Sequence, residues 1–350
     1  MQIQEMLAHA VQQRASDLHL SAGLLPRLRI DGSLQTVGEH VLTHEQIAAM
    51  VAGIMNSHQR EHFAQTLEAD FSYEVPGVSR FRVNAFHQLR GMSVAFRAIP
   101  SQVPSLSDLQ APEVFADFAL RPRGLVLVTG PTGSGKSTTL AAMLNELNRS
   151  QAKHVLTIED PIEFVYQPER CLINQREVGG QTLSFSSALR AAMREDPNVI
   201  LVGEMRDLET IRLAITAAET GHLVLATLHT SGAAKAIDRI IDVFPGDEKS
   251  VVRSMLSESL TAVISQVLCK RQDGPGRVAA YEIMVGSTAV RNLIRESKVA
   301  QLYSAMQTGS NVGMQTLDQA LTRLLQQGKI SKEEAAAKAR YPENFGLRET

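Results

Sequence analysis

The chain has 350 residues, which is enough for two domains that each bury a core. Its hydrophobic fraction of 44% is ordinary for a globular protein, and its net charge of −2 argues against nucleic acid as the main partner. No uncharged apolar stretch is long enough to cross a bilayer, and the first ten residues lack the basic cluster of a signal peptide. The two cysteines, Cys171 and Cys269, form no Cys-x-x-Cys pair, so we predict neither a disulfide framework nor a cysteine zinc site.

The first hundred residues have the pattern of a small α/β module. Residues 3–14 have helical spacing, and residues 18–20 and 27–30 are predicted to be short strands. Asp31 and Gly32 form a hairpin turn signal after the second of these strands. Residues 43–67 are predicted to be helical.

Two alternating segments follow, residues 80–86 and 92–99. If they form a hairpin that turns at Leu89 and Arg90, Arg82 lies directly opposite Arg97. Like charges in that arrangement are unfavourable unless an anion lies between or above them. The two arginines are therefore either solvent-facing strand residues or ligands of an anion such as a phosphate.

A linker and a larger domain come next. The prolines and the Ser/Asp-rich composition predict a linker over residues 100–111, between domains at residues 1–99 and 112–350. Apolar runs in the second domain predict four strands, at residues 125–128, 155–158, 199–202 and 223–228. Helix-length segments separate these runs, with Asp207 as a predicted N-cap and Gly221 as a helix stop. The pattern predicts an α/β fold with a parallel sheet covered on both faces, and ligands at the carboxyl ends of its strands.

A phosphate-binding loop follows the first of these strands. It consists of Gly130, Pro131, Thr132, Gly133, Ser134, Gly135, Lys136, Ser137 and Thr138. Glycines let successive backbone N–H groups point at one phosphate chain, and the helix that follows adds its positive N-terminal end. Lys136 can reach the outer phosphates, and the Ser137 hydroxyl can bind Mg²⁺.

Acidic residues follow the second and third strands. Glu159, Asp160 and Glu163 come after residues 155–158, and Glu204 comes after residues 199–202. In many phosphate-loop ATPases an acid at such a strand end holds Mg²⁺ through its water shell. Because Gly203 separates Glu204 from the apolar run, its role as a metal-water ligand or as a base stays open.

Two histidines flank the fourth strand. His222 precedes it and His229 follows it, roughly 20 Å apart at the usual rise per residue. Both cannot contact the same phosphate within one subunit unless the chain bends. His229, at the carboxyl end, is the better candidate for sensing the γ-phosphate, and a structural role for either histidine stays open.

The chain from about residue 251 is predicted to be mostly helical. Ser331 and Glu334 have the spacing of a capping box that opens the final helix. In residues 289–296, Val290 and its apolar neighbours form a helical stripe, while Arg291 and Arg295 lie four residues apart on another face.

From Gly130 onward the sequence resembles the secretion ATPase superfamily, the hexameric RecA-like motors of type II secretion and type IV pili. The phosphate loop, an acidic box at residues 157–163, Gly203–Glu204 and a histidine box at residues 222–229 occur in the family's order. Residues 289–296 resemble the Ala-Ile-Arg-Asn-Leu-Ile-Arg-Glu motif of the pilus retraction members, with Val290 as a conservative departure. The four-cysteine zinc site of extension and secretion members is missing.

The resemblance implies a PAS-like first domain and a RecA-like ATPase domain whose C-terminal part is helical. It implies that Glu163 is the general base, that Glu204 positions Mg²⁺ or water, and that Arg82 and Arg97 act across a subunit interface. The cofactors would be ATP and Mg²⁺, and the assembly a homohexamer. The resemblance also implies a cytoplasmic protein at the inner face of the inner membrane, bound there to a pilus platform protein of the PilC type. Residues 289–296 would be needed for retraction rather than for hydrolysis.

Several other functions are weighed against a retraction motor. An accessory retraction paralogue and a secretion or extension ATPase are disfavoured by residues 289–296 and by the missing cysteines. A nucleic-acid translocase is disfavoured by the near-neutral charge, and a non-catalytic nucleotide-gated scaffold by the set Lys136, Glu163 and Glu204. A GTPase is disfavoured because no Asn-Lys-x-Asp sequence occurs.

Overall fold

The structure, a computed structural model, describes residues 2–30, 32–100 and 102–346. It divides into two units, one formed by Met1–Gln102 with Glu163–Val165 and the other by Val103–Ile162 with Tyr166–Thr350. Ser101, in the predicted linker, lies outside the described residues, and the predicted domain boundaries stay predictions.

The first unit contains a six-stranded antiparallel sheet with the order β3-β2-β1-β6-β5-β4. Its strands are β1 Asp17–Ser21, β2 Arg27–Ile30, β3 Ser33–Thr36, β4 Glu68–Val75, β5 Ser79–Gln88 and β6 Gly91–Ile99. The hairpin predicted after β2 is confirmed, because Ile30 pairs with Ser33, although Asp31 lies outside the described residues. Strand β3 was not predicted because all four of its residues are exposed, so it shows no apolar alternation.

Three helices accompany this sheet: α1 Ile3–Gln12, α2 His44–Ile54 and α3 Ser57–Thr66. Helix α1 buries Ile3, Met6, Leu7 and Ala10, which is the i, i+3, i+4, i+7 spacing of one helical face. The core of the unit joins this face to Phe81 and other apolar residues of β5 and β6.

The second unit contains a seven-stranded sheet with the order β13-β12-β7-β11-β10-β8-β9. The four predicted strands are present and pair in parallel: β7 Gly124–Thr129, β8 His154–Glu159, β10 Val199–Val202 and β11 Leu223–Leu228. Their residues are almost entirely buried, as expected for a sheet covered on both faces.

Three further strands were not predicted: β9 Leu172–Glu177, β12 Leu260–Lys270 and β13 Arg277–Val285. The prediction of a mostly helical chain beyond residue 251 is therefore wrong for residues 260–285. Strand β12 lies beside β7 in the interior of the sheet, and its residues 260–264 are apolar apart from Thr261. Such a run cannot be distinguished from a buried helix by its periodicity.

The helices of the second unit include α4 Val114–Ala119, α5 Lys136–Ser150, α6 Phe185–Ala192, α7 Leu208–Glu219, α8 Ala233–Asp242, α9 Lys249–Ser259, α10 Thr288–Arg295, α11 Leu302–Thr308, α12 Leu317–Gln326 and α13 Lys332–Lys338. The predicted N-cap of α7 is confirmed, because the Asp207 carboxylate accepts a 2.8 Å hydrogen bond from the Thr210 N–H. At α13, Ser331 accepts from the Glu334 N–H at 3.2 Å. The Glu334 carboxylate, predicted to complete a capping box, accepts instead from the Lys270 N–H at 3.0 Å.

Strands β7, β8, β10 and β11 run in the same direction, so their carboxyl ends meet at one edge of the sheet. The phosphate loop, Glu204 and His229 follow these ends, and Glu159 is the last residue of β8. In the described ranges, no helix has the length and apolar character needed to cross a membrane.

Candidate nucleotide-binding site

The phosphate loop connects β7 to α5 through three glycines in the left-handed region. Their φ values are 145° at Gly130, 76° at Gly133 and 87° at Gly135. A Cβ atom at Gly130 would lie 2.4 Å from the Gln266 carbonyl oxygen, so only glycine fits there. Helix α5 begins at Lys136 without a side-chain cap, and its first-turn N–H groups suit an anion.

Lys136 is held inside this loop. Its side chain is buried, and its ammonium group donates hydrogen bonds to the carbonyl oxygens of Gly130 at 3.1 Å and Pro131 at 3.0 Å. The hydroxyls of Thr129 and Ser134 are buried at the base of the loop without a hydrogen-bond partner in the described part of the chain. Ser137 lies half-buried in the first turn of α5, beside Lys136. Glycines, a buried lysine and a serine hydroxyl form a donor set that fits the phosphates of a nucleotide and a magnesium ion.

Glu204 and His229 are brought together because β10 and β11 are neighbours in the sheet. The His229 Nε2 lies 3.0 Å from Glu204 Oε2, and the Glu204 side chain is only 14% exposed. The Arg206 guanidinium contacts the other Glu204 oxygen. The sequence placed both residues at this edge but did not predict Arg206.

Partial burial, and then the positive charges of Lys136 and Arg206, lower the pKa of His229 below its ordinary value. The Glu204 carboxylate favours the charged imidazole, but Arg206 already neutralises much of that carboxylate. These effects favour the neutral imidazole, and in that form its Nε2–H donates to Glu204 Oε2.

The glycine before Glu204 is required by a neighbouring strand. A Cβ atom at Gly203 would lie 3.2 Å from both the Cα atom of Glu159 and the carbonyl oxygen of Ile158. The Gly203 N–H donates to that Ile158 oxygen at 2.8 Å. A side chain at residue 203 would press against β8, so the acidic residue follows one position later.

His222 lies at the opposite end of β11 from His229, as predicted. Its Nδ1 is 3.0 Å from the carbonyl oxygen of Ala217 in α7, and its own carbonyl oxygen accepts from the Gly124 N–H at the start of β7. These bonds tie His222 to the amino-terminal edge of the sheet, whereas the phosphate loop follows the carboxyl-terminal edge.

Two glutamates of the acidic box, Glu159 and Glu163, lie in different surroundings. Glu159 is buried, and its Oε1 accepts from the Thr157 hydroxyl at 2.7 Å. Glu163 is exposed and belongs to the short segment that groups with the first unit. Its role as a base stays a prediction.

The predicted register of Arg82 and Arg97 is confirmed. The two residues are directly paired across β5 and β6. Arg82 forms an ion pair with Asp70, and Arg97 donates to Asp17 at 2.8 Å. These two aspartates were not predicted, because their positions depend on which strands flank the hairpin. Each carboxylate relieves the repulsion between the arginines.

Sequence analysis also did not predict three polar residues on β12 and β13 that hydrogen-bond to neighbouring loops. Gln266 is fully buried, and its amide donates to the Ser134 carbonyl oxygen in the phosphate loop at 2.5 Å. The Ser265 hydroxyl accepts from the Gly232 N–H at 2.9 Å. Glu282 accepts from the Ala233 N–H at 2.7 Å, at the start of α8. These strands therefore contact both the phosphate loop and the segment after His229, which could not be foreseen while β12 was predicted to be helical.

Helix α10 contains most of the motif at residues 289–296. Its Arg291 donates to three carbonyl oxygens: Gly286 at 2.8 Å, Glu258 at 2.9 Å and Leu260 at 3.3 Å. Arg295 forms an ion pair with Glu258. Arg291 therefore joins α10 to the end of α9 and the start of β12.

A cavity of about 190 Å³ borders the phosphate loop at Gly135 and Thr138. Arg271, Arg277 and Tyr281 also line it. The cavity provides space next to the loop for the remainder of a phosphate-bearing ligand.

A parallel sheet with a phosphate loop after one strand and acidic residues after its neighbours defines a phosphate-loop nucleotide-binding protein of the RecA-like type. The family described as type II/IV secretion system protein matches residues 1–275. The chain belongs to this family.

Individual relatives cover almost the whole chain. The "Type IV pilus retractation ATPase PilT" of Pseudomonas aeruginosa is 63% identical over 345 residues, which cover 99% of this chain and 100% of that protein. A "Twitching motility protein" of Neisseria gonorrhoeae is 59% identical over 92% of this chain and 86% of that protein. A solved structure described as the pilus retraction motor PilT with bound ADP matches with a TM-score of 0.92 and 45% identity, over 98% of each chain.

Proposed function

We propose that the chain is an ATP-hydrolysing motor that forms a homohexamer and powers the retraction of type IV pili. The observation that carries this proposal is the phosphate loop, with Lys136 held inside it, at the sheet edge where Glu204 contacts His229. The similarity to a pilus retraction ATPase over the full chain supports the use of ATP for retraction.

Each residue of the site has a role in this proposal. Lys136 and the loop N–H groups bind the outer phosphates, and Ser137 and Glu204 would hold Mg²⁺, the latter through water. The ion neutralises charge on the phosphate oxygens when it is bound. The neutral His229 orients the Glu204 carboxylate through their hydrogen bond.

The remaining roles involve residues of the first unit. Glu163 accepts the proton of the attacking water, and the strand pair that carries Arg82 and Arg97 in one subunit lies at the phosphates held by its neighbour. Their own aspartate partners, described above, keep both arginines ordered within the sheet.

The motor acts at the inner face of the inner membrane, through a platform protein of the PilC type.

The central test separates binding from hydrolysis. Lys136→Ala is expected to lose nucleotide binding, because it removes the cation inside the loop. Glu204→Gln is expected to bind ATP but to hydrolyse it at least about 100-fold more slowly. Nucleotide binding and phosphate release are measured on both variants, with circular dichroism as the control for folding. Hydrolysis by Glu204→Gln at the parental rate would refute the catalytic role.

The cellular test separates retraction from extension. A strain lacking the gene is expected to carry many pili and to show no twitching, and the Lys136→Ala variant is expected not to restore motility. Bald cells would indicate an extension ATPase. Residual twitching without the protein would indicate an accessory role.

A further inference from the structure

The guanidinium group of Arg97 is hydrogen-bonded at its Nε, and its other edge is exposed. Its Nε donates to Asp17 Oδ1 at 2.8 Å, and the Asp17 side chain is only 6% exposed. The Arg97 side chain is 69% exposed. Its terminal nitrogens have no partner in residues 2–30, 32–100 and 102–346. A planar guanidinium that is fixed at Nε has two terminal NH2 groups with the geometry to bind an oxyanion.

Arg82, its cross-strand neighbour, is engaged differently. Both its Nε and its Nη2 donate to Asp70, at 3.1 Å and 2.5 Å. Arg82 and Asp70 are exposed to similar extents, 43% and 42%. Two Arg82 nitrogens that could bind an anion therefore already donate to a carboxylate in the same unit.

We propose that Asp17 is a positioning residue that presents the terminal edge of Arg97 to the phosphate oxygens of a nucleotide held by a neighbouring subunit. The proposal rests on the shared site proposed above, and it assigns the phosphate contact to Arg97 rather than to Arg82. An arginine side chain loses conformational entropy when it binds a phosphate. Because the hydrogen bond at Nε already restricts Arg97, less entropy is lost when the phosphate binds.

The surroundings of Asp17 suit a fixed anchor. Burial alone would raise the pKa of Asp17, but hydrogen bonds from Ser16 and Arg97 and the charge of Arg97 lower it below the ordinary value. The Ser16 hydroxyl donates at 2.8 Å, and the Arg29 Nε lies 3.7 Å away. The carboxylate is therefore ionised and held from several directions.

The test is a double-mutant cycle of Asp17→Asn and Arg97→Ala in the full-length protein, read as kcat and KM for ATP. Asp17→Asn removes the charge with little change in shape, and its kcat is expected to fall about tenfold with little change in KM. In the Arg97→Ala background the same change is expected to have no further effect. Asp70→Asn, which releases Arg82 but leaves the bond between Asp17 and Arg97 intact, is expected to cause no fall in kcat.

An equal fall of kcat from Asp17→Asn with and without Arg97 would overturn the proposal, because it would indicate a purely structural aspartate. A larger fall from Asp70→Asn than from Asp17→Asn would overturn it as well. If Asp17→Asn does not fold, Ser16→Ala weakens the same anchor, and a kcat loss seen only when Arg97 is present supports the proposal. Parental activity of Arg97→Ala beside an inactive Lys136→Ala would reject the role of Arg97 and leave the ATPase assignment intact. Hydrolysis of ATP by Lys136→Ala would show that the activity does not depend on the phosphate loop, and it would reject the assignment of this loop as the ATPase site.

Discussion

Two glycines of the phosphate loop have different neighbours, although both have positive φ values. A Cβ atom at Gly130 would collide with the carbonyl oxygen of Gln266, whereas one at Gly133 would have no atom within 4 Å. We expect Gly130→Ala to destabilise the protein by about 3 kcal/mol and to abolish nucleotide binding. Gly133→Ala is expected to cost only about 1 kcal/mol, from the left-handed backbone alone.

Thermal unfolding and titration with a fluorescent ADP analogue measure both effects. Equal losses in the two variants would show that backbone strain, and not the contact with β12, determines the shape of the loop.

Individual site residues were predicted to the extent that their signals are local. The phosphate loop and His229 follow apolar strands directly, and Glu204 follows one after Gly203, so the sequence places all three at one edge. Asp17 and Asp70 carry no such signal, because their partners Arg97 and Arg82 are distant in the chain and meet them only through strand pairing. Arg206 was missed because a charged residue after a strand is usually a solvated one.

At the scale of elements, β12 supports the phosphate loop through one buried side chain. Gln266→Ala removes the hydrogen bond to the Ser134 carbonyl oxygen, which is typically worth about 1 kcal/mol. We expect ADP affinity to fall about fivefold, because the loop must then be ordered by the ligand. Gln272→Ala, at an exposed position shortly after the same strand, is the matched control. Equal affinities in the two variants would contradict a supporting role for β12.

The hydrogen bonds of Arg291 in helix α10 determine how the role of residues 289–296 can be tested. Arg291→Ala removes three hydrogen bonds to carbonyl oxygens and is expected to cost about 2 kcal/mol of stability, measured by thermal unfolding. Asn292→Ala, at an exposed position, is expected to leave stability unchanged.

A loss of retraction in Arg291→Ala would therefore include a folding defect, whereas a loss in Asn292→Ala would indicate a partner contact. Unchanged stability of Arg291→Ala would contradict the structural role of this arginine.

For the whole molecule, the sequence predicted an α/β fold and the parallel part of the second sheet. It missed β3, which is exposed throughout, and β12, whose residues 260–264 are apolar apart from Thr261. Period-two alternation, the signal on which strand prediction depends, is absent in both cases.

A site shared between subunits can be tested by mixing two inactive variants. If Arg97 of one subunit completes the site of the next, a mixture of Arg97→Ala and Lys136→Ala subunits contains composite sites with both groups intact. We expect the mixture to hydrolyse more ATP per subunit than either variant alone. The control mixes Arg97→Ala with the double variant Arg97→Ala/Lys136→Ala, in which every subunit lacks the arginine. Absence of any gain, with subunit exchange confirmed by tagged chains, would place Arg97 in its own subunit's site.

The close approach of β8 to Gly203 also limits how this sequence can change during evolution. A side chain at position 203 requires the backbone of β8 to move by a few tenths of an ångström. Substitutions of Gly203 are therefore expected to be tolerated only where β8 can move by that amount. Libraries randomised at position 203 are expected to be enriched in glycine and alanine.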